Sequence, residues 1–90
     1  MFQFRGKRIP ERMMPDIERY VKHGEIPGDF LQAVICNDLQ EAVAIADDES
    51  LDSLPAYAKY FYNEVPSPAW GSHEKMIAWA DNGGLLGWEG

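Results

Sequence analysis

Cysteine is almost absent from this chain of 90 residues, and the features that mark exported or membrane proteins are missing with it. The single cysteine, Cys36, cannot form a disulfide within the chain, which agrees with a reducing compartment. No long apolar span is present, and no apolar stretch follows the basic N-terminus as it would in a secretory signal. We therefore expect a cytoplasmic protein with no membrane partner, in which Cys36 is a small buried apolar residue.

Recognisable catalytic motifs are also lacking. The sequence has no phosphate-binding glycine loop, no dinucleotide-binding fingerprint and no zinc-ligand spacing. Its two histidines, His23 and His73, stand at a predicted helix end and a predicted helix start. Neither can be paired with Cys36 from spacing, because a lone cysteine and scattered histidines occur in many small proteins. We therefore predict that the protein is not an enzyme and holds no cofactor.

Lysine and arginine are missing from residues 23–58, which carry eight acidic side chains. Residues 1–22 instead hold six basic and three acidic side chains, and the formal net charge of the whole chain is −7. Such an acidic field disfavours direct binding of nucleic acid and favours a partner with a basic surface. The opposite charges of the two segments also predict that they pair, either within one molecule or between two copies.

The densest acidic run is DDESLDS at residues 47–53. It lacks the ligand alternation and the glycine of an EF-hand loop, and acidic residues are common at helix starts, where free N–H groups attract negative charge. We therefore interpret the run as a solvated helix start and predict no metal site. Its carboxylates are candidates for contact with a basic protein: Asp47, Asp48, Glu49 and Asp52.

Helix-start and helix-stop residues recur along the chain and predict an all-α fold. In the central stretch, residues 27–48, Asp38 and Glu41 have the spacing of a capping box, so two short helices should meet in a sharp turn at Asn37–Asp38. Further helices are predicted from about Pro15 to His23, from near Ser53 to Asn63, and from Ser72 to Gly83. The expected architecture is a compact orthogonal bundle of about five short helices in a single domain, with an extended arm at 1–8, a helical core at 9–83 and a glycine-rich tail at 84–90.

Apolar spacing predicts the buried side of each helix. The predicted buried positions are Leu39, Ala42, Val43 and Ala46 in the second central helix, Leu54, Ala58, Phe61 and Val65 in the next, and Met76, Ile77 and Ala80 in the last. The tail adds Leu85, Leu86 and Trp88, which either fold back over the core or dock on a second copy. A homo-oligomer is therefore an open expectation.

Aromatic side chains supply the remaining candidates. Tyr57, Tyr60 and Trp70 are candidates for an exposed protein-binding surface, although aromatics at helical spacing more often belong to the core. The alternative function is an oligomeric binder that sequesters a signalling nucleotide between subunits. Its base would stack on one of these rings or on Tyr20. Its phosphates would contact basic side chains of the first segment: Arg12, Arg19 and Lys22.

Five segments occur in a fixed order: IPERMM (9–14), ERYVKHG (18–24), PGDFLQAVICNDLQEAVAIAD (27–47), YNEVPSPAWGS (62–72) and EKMIAW (74–79). Their combination resembles a group of small bacteriophage- and prophage-encoded proteins with no assigned activity. The resemblance implies a phage accessory protein in the bacterial host cytoplasm, where such proteins commonly block a defence system or redirect a host enzyme. We therefore expect a non-enzymatic protein that binds a host protein with a basic surface. A minor component of the virion is a further alternative.

Overall fold

The structure is a computed structural model that describes residues 3–4 and 6–88. In this part of the chain a small β-hairpin is followed by six α-helices and three short 3-10 turns. The helices are α1 (Met14–His23), α2 (Asp29–Ile35), α3 (Leu39–Ile45), α4 (Asp48–Asp52), α5 (Leu54–Glu64) and α6 (His73–Asp81). The predicted all-α fold is confirmed, with the short helix α4 standing before the long helix α5.

The ends of α1 follow from two residues. Pro15 lies in the first turn, where its missing N–H is not needed, and Gly24 follows the last turn with a left-handed φ of 75°. The N–H of Gly24 donates to the carbonyl oxygen of Tyr20 at 2.9 Å, which closes the helix. The predicted extent of this helix is confirmed.

The corner between α2 and α3 is also built as predicted. Asn37 has a φ of 60°, which turns the chain, and the Asp38 side chain accepts a hydrogen bond from the N–H of Glu41. At the start of α6, Ser72 accepts a hydrogen bond from the N–H of Lys75 in the same way. Both predicted caps are therefore confirmed.

The N-terminal segment is not the extended arm that the sequence predicted. Strand β1 (Gln3–Phe4) pairs antiparallel with β2 (Lys7–Arg8), Gly6 takes a left-handed φ of 77° in the turn, and the hairpin packs against α5. The partner strand was missed because each strand has only two residues, too few to show a strand pattern. The part of the predicted arm at residues 1, 2 and 5 lies outside the described residues.

The hydrophobic core is formed by α1, α2, α5, α6 and the proline-rich loop before α6, residues 65–71. Two buried polar groups fix this arrangement. The Tyr20 hydroxyl donates to the carbonyl oxygen of Ala69 at 2.6 Å, and the Trp79 indole N–H donates to the carbonyl oxygens of Tyr20 and Val21, each at 3.1 Å. The core residues are Ile9, Ile17, Tyr20, Leu31, Ile35, Ala56, Tyr57, Phe61, Val65, Ala69, Met76 and Trp79.

The predicted buried stripe of α3 is correct at Ala42 and wrong at Leu39 and Val43, and Ala46 is half-buried. Ala42 is the one buried residue of this helix, whereas Leu39 is 61% exposed and Val43 is 44% exposed. Helical spacing predicts that these side chains share one face, but whether that face is covered depends on the neighbouring elements. In this fold α3 packs on α2, and its apolar outer face is left open.

The buried faces of α5 and α6 agree with the prediction only in part, since Phe61 and Val65 are buried as predicted and other positions differ. In α5, Ala58 is exposed and Tyr57 is buried instead, with its ring edge-on to Phe30 at a centroid distance of 5.1 Å. In α6, Met76 is buried as predicted, but Ile77 is 37% exposed and Trp79 takes the inner position. A large aromatic side chain buries more apolar area than alanine or isoleucine, so it displaces them from the core side.

The tail folds back over the core of its own chain. Its 3-10 turn, Gly84–Gly87, packs against α1 and α6, and the ring of Trp88 lies 5.8 Å from that of Trp79. Gly84 is buried against the backbone at the end of α1. The tail up to Trp88 is therefore part of the packed structure.

Buried tyrosines make the protein sensitive to alkali. Burial raises the pKa of both Tyr20 and Tyr57 above the usual 10.0. At high pH the folded state therefore keeps phenol protons that the unfolded state releases. The contribution of these two tyrosines to the free energy of unfolding is fully present below about pH 10 and falls as the pH rises further. We expect loss of helical circular dichroism above about pH 10. Between pH 7 and alkaline pH, the free energy of unfolding should fall less in Tyr20→Phe than in the unchanged protein. Stability that stays constant to about pH 12 would contradict this assignment.

Candidate protein-binding surface

The acidic side chains of the run are solvated as predicted, but the run forms the whole of the short helix α4 with its caps Asp47 and Ser53, and not only the start of the helix predicted from near Ser53. The Asp47 side chain accepts a hydrogen bond from the N–H of Ser50 at 2.7 Å. This bond to the backbone is the main reason why the pKa of Asp47 is lowered, and nearby Arg12 lowers it further. Asp47 therefore acts mainly as the N-cap of α4, and its carboxylate already accepts a hydrogen bond.

Arg12 ties the basic N-terminal segment to this run. Its guanidinium bonds the Asp47 carboxylate at 3.2 Å and also pairs with Glu49, and the bond with Glu49 is the main reason why the pKa of Arg12 is raised. The two charged segments thus pair within one molecule. All three side chains are more than half exposed, so water screens the pairs. Asp48 and Asp52 are exposed and form no ion pair in the described part of the chain.

The three aromatic candidates lie in different environments. The expected exposure of Tyr57 is wrong, because its ring is fully buried in the core. Tyr60 is half-buried, with its ring edge-on to Phe61 at 5.7 Å. Trp70 is half-buried at the end of the proline-rich loop, 6.3 Å from the ring of Tyr62. Of the three, Tyr57 is excluded from contact with a partner.

Several residues of the nucleotide alternative are buried or already paired in this structure. Tyr20 is fully buried, so its ring has no face on which a base could stack. Arg12 pairs with two carboxylates, and Arg19 pairs with Asp16 one turn before it in α1. Lys22 is exposed on α1. The stacking role of Tyr20 is therefore wrong, because the core holds the ring.

Cys36 and His73 come together although they are distant in the sequence. The Cys36 sulfur lies 4.0 Å from Nδ1 of His73 and 3.8 Å from the sulfur of Met76. Burial raises the pKa of the Cys36 thiol, and the charge of Asp38 raises it further, so the reactive thiolate is disfavoured. Among the described residues, no three histidine, cysteine, aspartate or glutamate side chains are grouped so that they could hold a metal ion.

An open apolar groove lies between α2, α3 and α5, and we call it the α2–α5 groove. Phe61 and Ala42 lie at its buried side, and its volume, including space open to solvent, is about 470 Å³. Its remaining lining is Ala33, Val34, Asn37, Asp38, Leu39, Leu54, Ala58 and Trp70. Sequence reasoning missed the groove because it assigned Leu39 and Ala58 to the core, and no local signal separates a covered apolar stripe from an open one.

The charges on the α2 and α3 walls of the α2–α5 groove are all acidic, whereas Lys59 lies beside Ala58 and Trp70 at its α5 edge. Asp38 lies in its lining, and every charged side chain of α2, α3 and α4 is acidic. The first cation of α5 is Lys59, whose ammonium lies 5.5 Å from the centroid of the Tyr62 ring. The exposed acids Asp29, Asp38 and Glu41 lie in an adjoining pocket that shares Ala33 and Asp38 with the groove, whereas Glu49 and Asp52 line a separate pocket with Arg8 and Arg12. An apolar groove with acids on its α2 and α3 side is therefore the main feature of this surface.

Comparisons found no match. Neither a family model, nor a curated protein, nor a solved structure is significantly similar to the chain. In the part that the structure describes, no helix has the length and apolar character needed to cross a membrane. The resemblance to bacteriophage-encoded proteins thus stays a prediction, and the function has to be inferred from the surface itself.

The described surface has features that favour binding of another molecule. Exposed apolar side chains gain free energy when a partner covers them, and the surrounding carboxylates attract positive charge. In the contact between Cys36 and His73, burial raises the pKa of the thiol and so disfavours the reactive thiolate. The arrangement therefore favours recognition of another molecule.

Proposed function

We propose that the chain is a non-enzymatic binding protein that engages a basic surface of another protein and thereby inhibits or redirects it. One observation carries the proposal: α2, α3 and α4 carry exposed acids and exposed apolar residues such as Leu39, Val43 and Leu51, and these three helices contain no lysine or arginine. Protein interfaces commonly have an apolar centre and a polar, charged rim. The exposed side of these helices has both parts.

The charge of this side selects the class of partner. Complementary charge speeds association and suppresses partners of the same sign. Two of the candidate acids, Asp47 and Glu49, are paired with Arg12, so the proposal assigns the attraction mainly to Asp48 and Asp52. A basic surface that otherwise binds nucleic acid would suit this acidic side.

The resemblance to small proteins of bacteriophages and prophages supports a setting in the bacterial host cytoplasm. In that setting the basic partner is a host protein, and a defence protein or a nucleic-acid-binding enzyme is the expected kind. Blocking such a surface requires tight binding and no catalytic group. This is consistent with the protonated thiol of Cys36.

Charge reversal tests the proposal. The immobilised chain would capture proteins from a bacterial host lysate, and the main partner would then be purified and its Kd measured at rising salt. We expect Asp48→Lys/Asp52→Lys to weaken binding at least about tenfold at low salt, because both acids are exposed and unpaired in the described part of the chain. Thermal unfolding would verify that the variant stays folded.

The matched control is Glu18→Lys/Glu64→Lys. These two acids are exposed on α1 and α5, outside the acidic segment, and the exchange changes the net charge by the same amount. We expect it to change Kd by less than about threefold, since distant exposed charges are largely screened at physiological salt. Equal weakening by both double variants, or a Kd that does not depend on salt, would contradict the proposal.

A further inference from the structure

Helix α3 buries fewer residues than α2, the other helix of seven residues. It has seven residues and buries only Ala42. An isolated helix this short is unstable in water, and helices in proteins depend mainly on burial of an apolar face. Leu39 and Val43 are four residues apart, so they share one face, and that face is open. No described part of the chain therefore covers this apolar stripe of α3.

This stripe is continuous with the α2–α5 groove. Leu39 lies both on the open face of α3 and in the groove lining, whose other walls are Val34 of α2 and Leu54 of α5. The groove is too small for a whole helix but can accept an apolar side chain. With the open stripe of α3 beside it, the site suits a row of anchors on one side of a segment that lies across it.

The acids on the α2 and α3 side of the groove decide among possible occupants. A second copy that bound through the same face would bring its acids against identical acids, because a two-fold interface joins like surfaces. Nucleic acid and anionic lipid headgroups are repelled for the same reason. A segment with lysine or arginine beside its apolar anchors can place the anchors in the groove and pair its cations with the nearby carboxylates.

The walls of the groove favour a helix as the occupant. A peptide that binds as an added strand needs a strand edge for its backbone groups, and this groove is built from helices. A helical segment satisfies its own backbone hydrogen bonds before it binds. Its side chains at i, i+3, i+4 and i+7 lie on one face and can contact the groove and the open stripe together.

We propose that the α2–α5 groove receives one face of an amphipathic helix, a helix that carries leucine-like anchors on that face and lysine or arginine beside it. This inference rests on the proposed function and names the segment by which the basic partner is held. Leu39 and Val43 contact the anchors. The carboxylate of Asp38, in the lining of the groove, faces a flanking cation.

A peptide titration tests the groove with the full chain. The probe is a fluorescein-labelled peptide of about 18 residues, or five helical turns, with leucine at i, i+3, i+4 and i+7 and lysine or arginine between. One control has the same composition in an order without helical periodicity, and a second has glutamate in place of the cations. We expect the first peptide to bind at least about tenfold more tightly than either control, measured by anisotropy, and to gain helical circular dichroism on binding.

Variants of the chain locate the binding surface. Leu39→Ser/Val43→Ser removes the open stripe, and Ala58→Gln fills the groove instead; each should weaken the probe about tenfold or more. Both changes are at exposed positions, so the fold should be preserved, and unfolding curves would verify this. The matched control is Ile77→Ser/Leu86→Ser, which removes exposed apolar side chains elsewhere and should leave Kd within about twofold.

Each other outcome has a defined meaning. Equal binding of the ordered and shuffled basic peptides would overturn the helix inference and leave the proposed function intact, because charge alone would then suffice. Binding of the acidic peptide, or no binding of any peptide, would overturn the inference too, while the lysate experiment separately decides the proposed function. A dimer seen by light scattering that Leu39→Ser/Val43→Ser converts to a monomer would assign the groove to a second copy and also overturn it.

Discussion

Replacing Gly84 by alanine is expected to destabilise the protein by at least about 3 kcal/mol, or more than about 10 °C in melting temperature. Gly84 has a left-handed φ of 72°, and an added Cβ would lie 2.5 Å from the backbone nitrogen of Gly24 and 2.6 Å from that of His23. These neighbours are backbone atoms at the end of α1, so no side chain can swing away to make room. Either the tail must lift from α1 or the end of α1 must move.

Gly83 provides the matched control for this experiment. It has a similar φ of 80°, but a Cβ at this position would meet no heavy atom within 4 Å. Gly83→Ala should therefore show only the conformational cost of about 1–2 kcal/mol. Urea unfolding at neutral pH, followed by circular dichroism, would measure both variants. If the two alanines cost the same, the close packing of the tail on α1 is wrong.

Tyr20→Phe is expected to lower the free energy of unfolding by about 1–3 kcal/mol although it removes only one oxygen. The hydroxyl donates to the carbonyl oxygen of Ala69 at 2.6 Å, and both residues are fully buried. Without the hydroxyl, that carbonyl keeps its desolvation cost and loses this partner. The bond also joins α1 to the proline-rich loop, so the loop should lose protection from proteolysis.

Tyr57→Phe is the matched control, because it removes the same atom from an equally buried ring. The Tyr57 hydroxyl lies near enough to Ser50 to affect its own pKa, but it makes no hydrogen bond of good geometry with any described residue. Removing a buried and unsatisfied hydroxyl should be neutral or stabilising. Thermal unfolding would separate the two variants, and equal losses in both would show that Tyr57 has a hydrogen-bond partner.

The parts of the fold that the sequence predicted are those whose causes are local. Asp38 and Ser72 cap helices through N–H groups three residues away, and Gly24 ends α1 through its own backbone conformation. Each of these signals is contained in a few consecutive residues. They therefore predict where a helix begins and ends whatever surrounds it.

The parts that the sequence did not predict depend on contacts between distant residues. Leu39 has the same spacing whether or not another element covers it, so its exposure could not be read from α3 alone. Cys36 and His73 are 37 residues apart, and only the packing of α2 against α6 brings them together. The charge pattern did predict an attraction between segments, but it did not identify Arg12 as the residue that makes it.

Helix α3 also determines how this protein is able to diverge. Six of its seven side chains are exposed, so substitutions there leave the core unchanged as long as Ala42 is kept small. Related chains can therefore vary this helix freely and acquire new partners without losing the fold. Selection on binding would then be visible as rapid change along α3 beside an invariant Tyr20, Trp79 and Gly84.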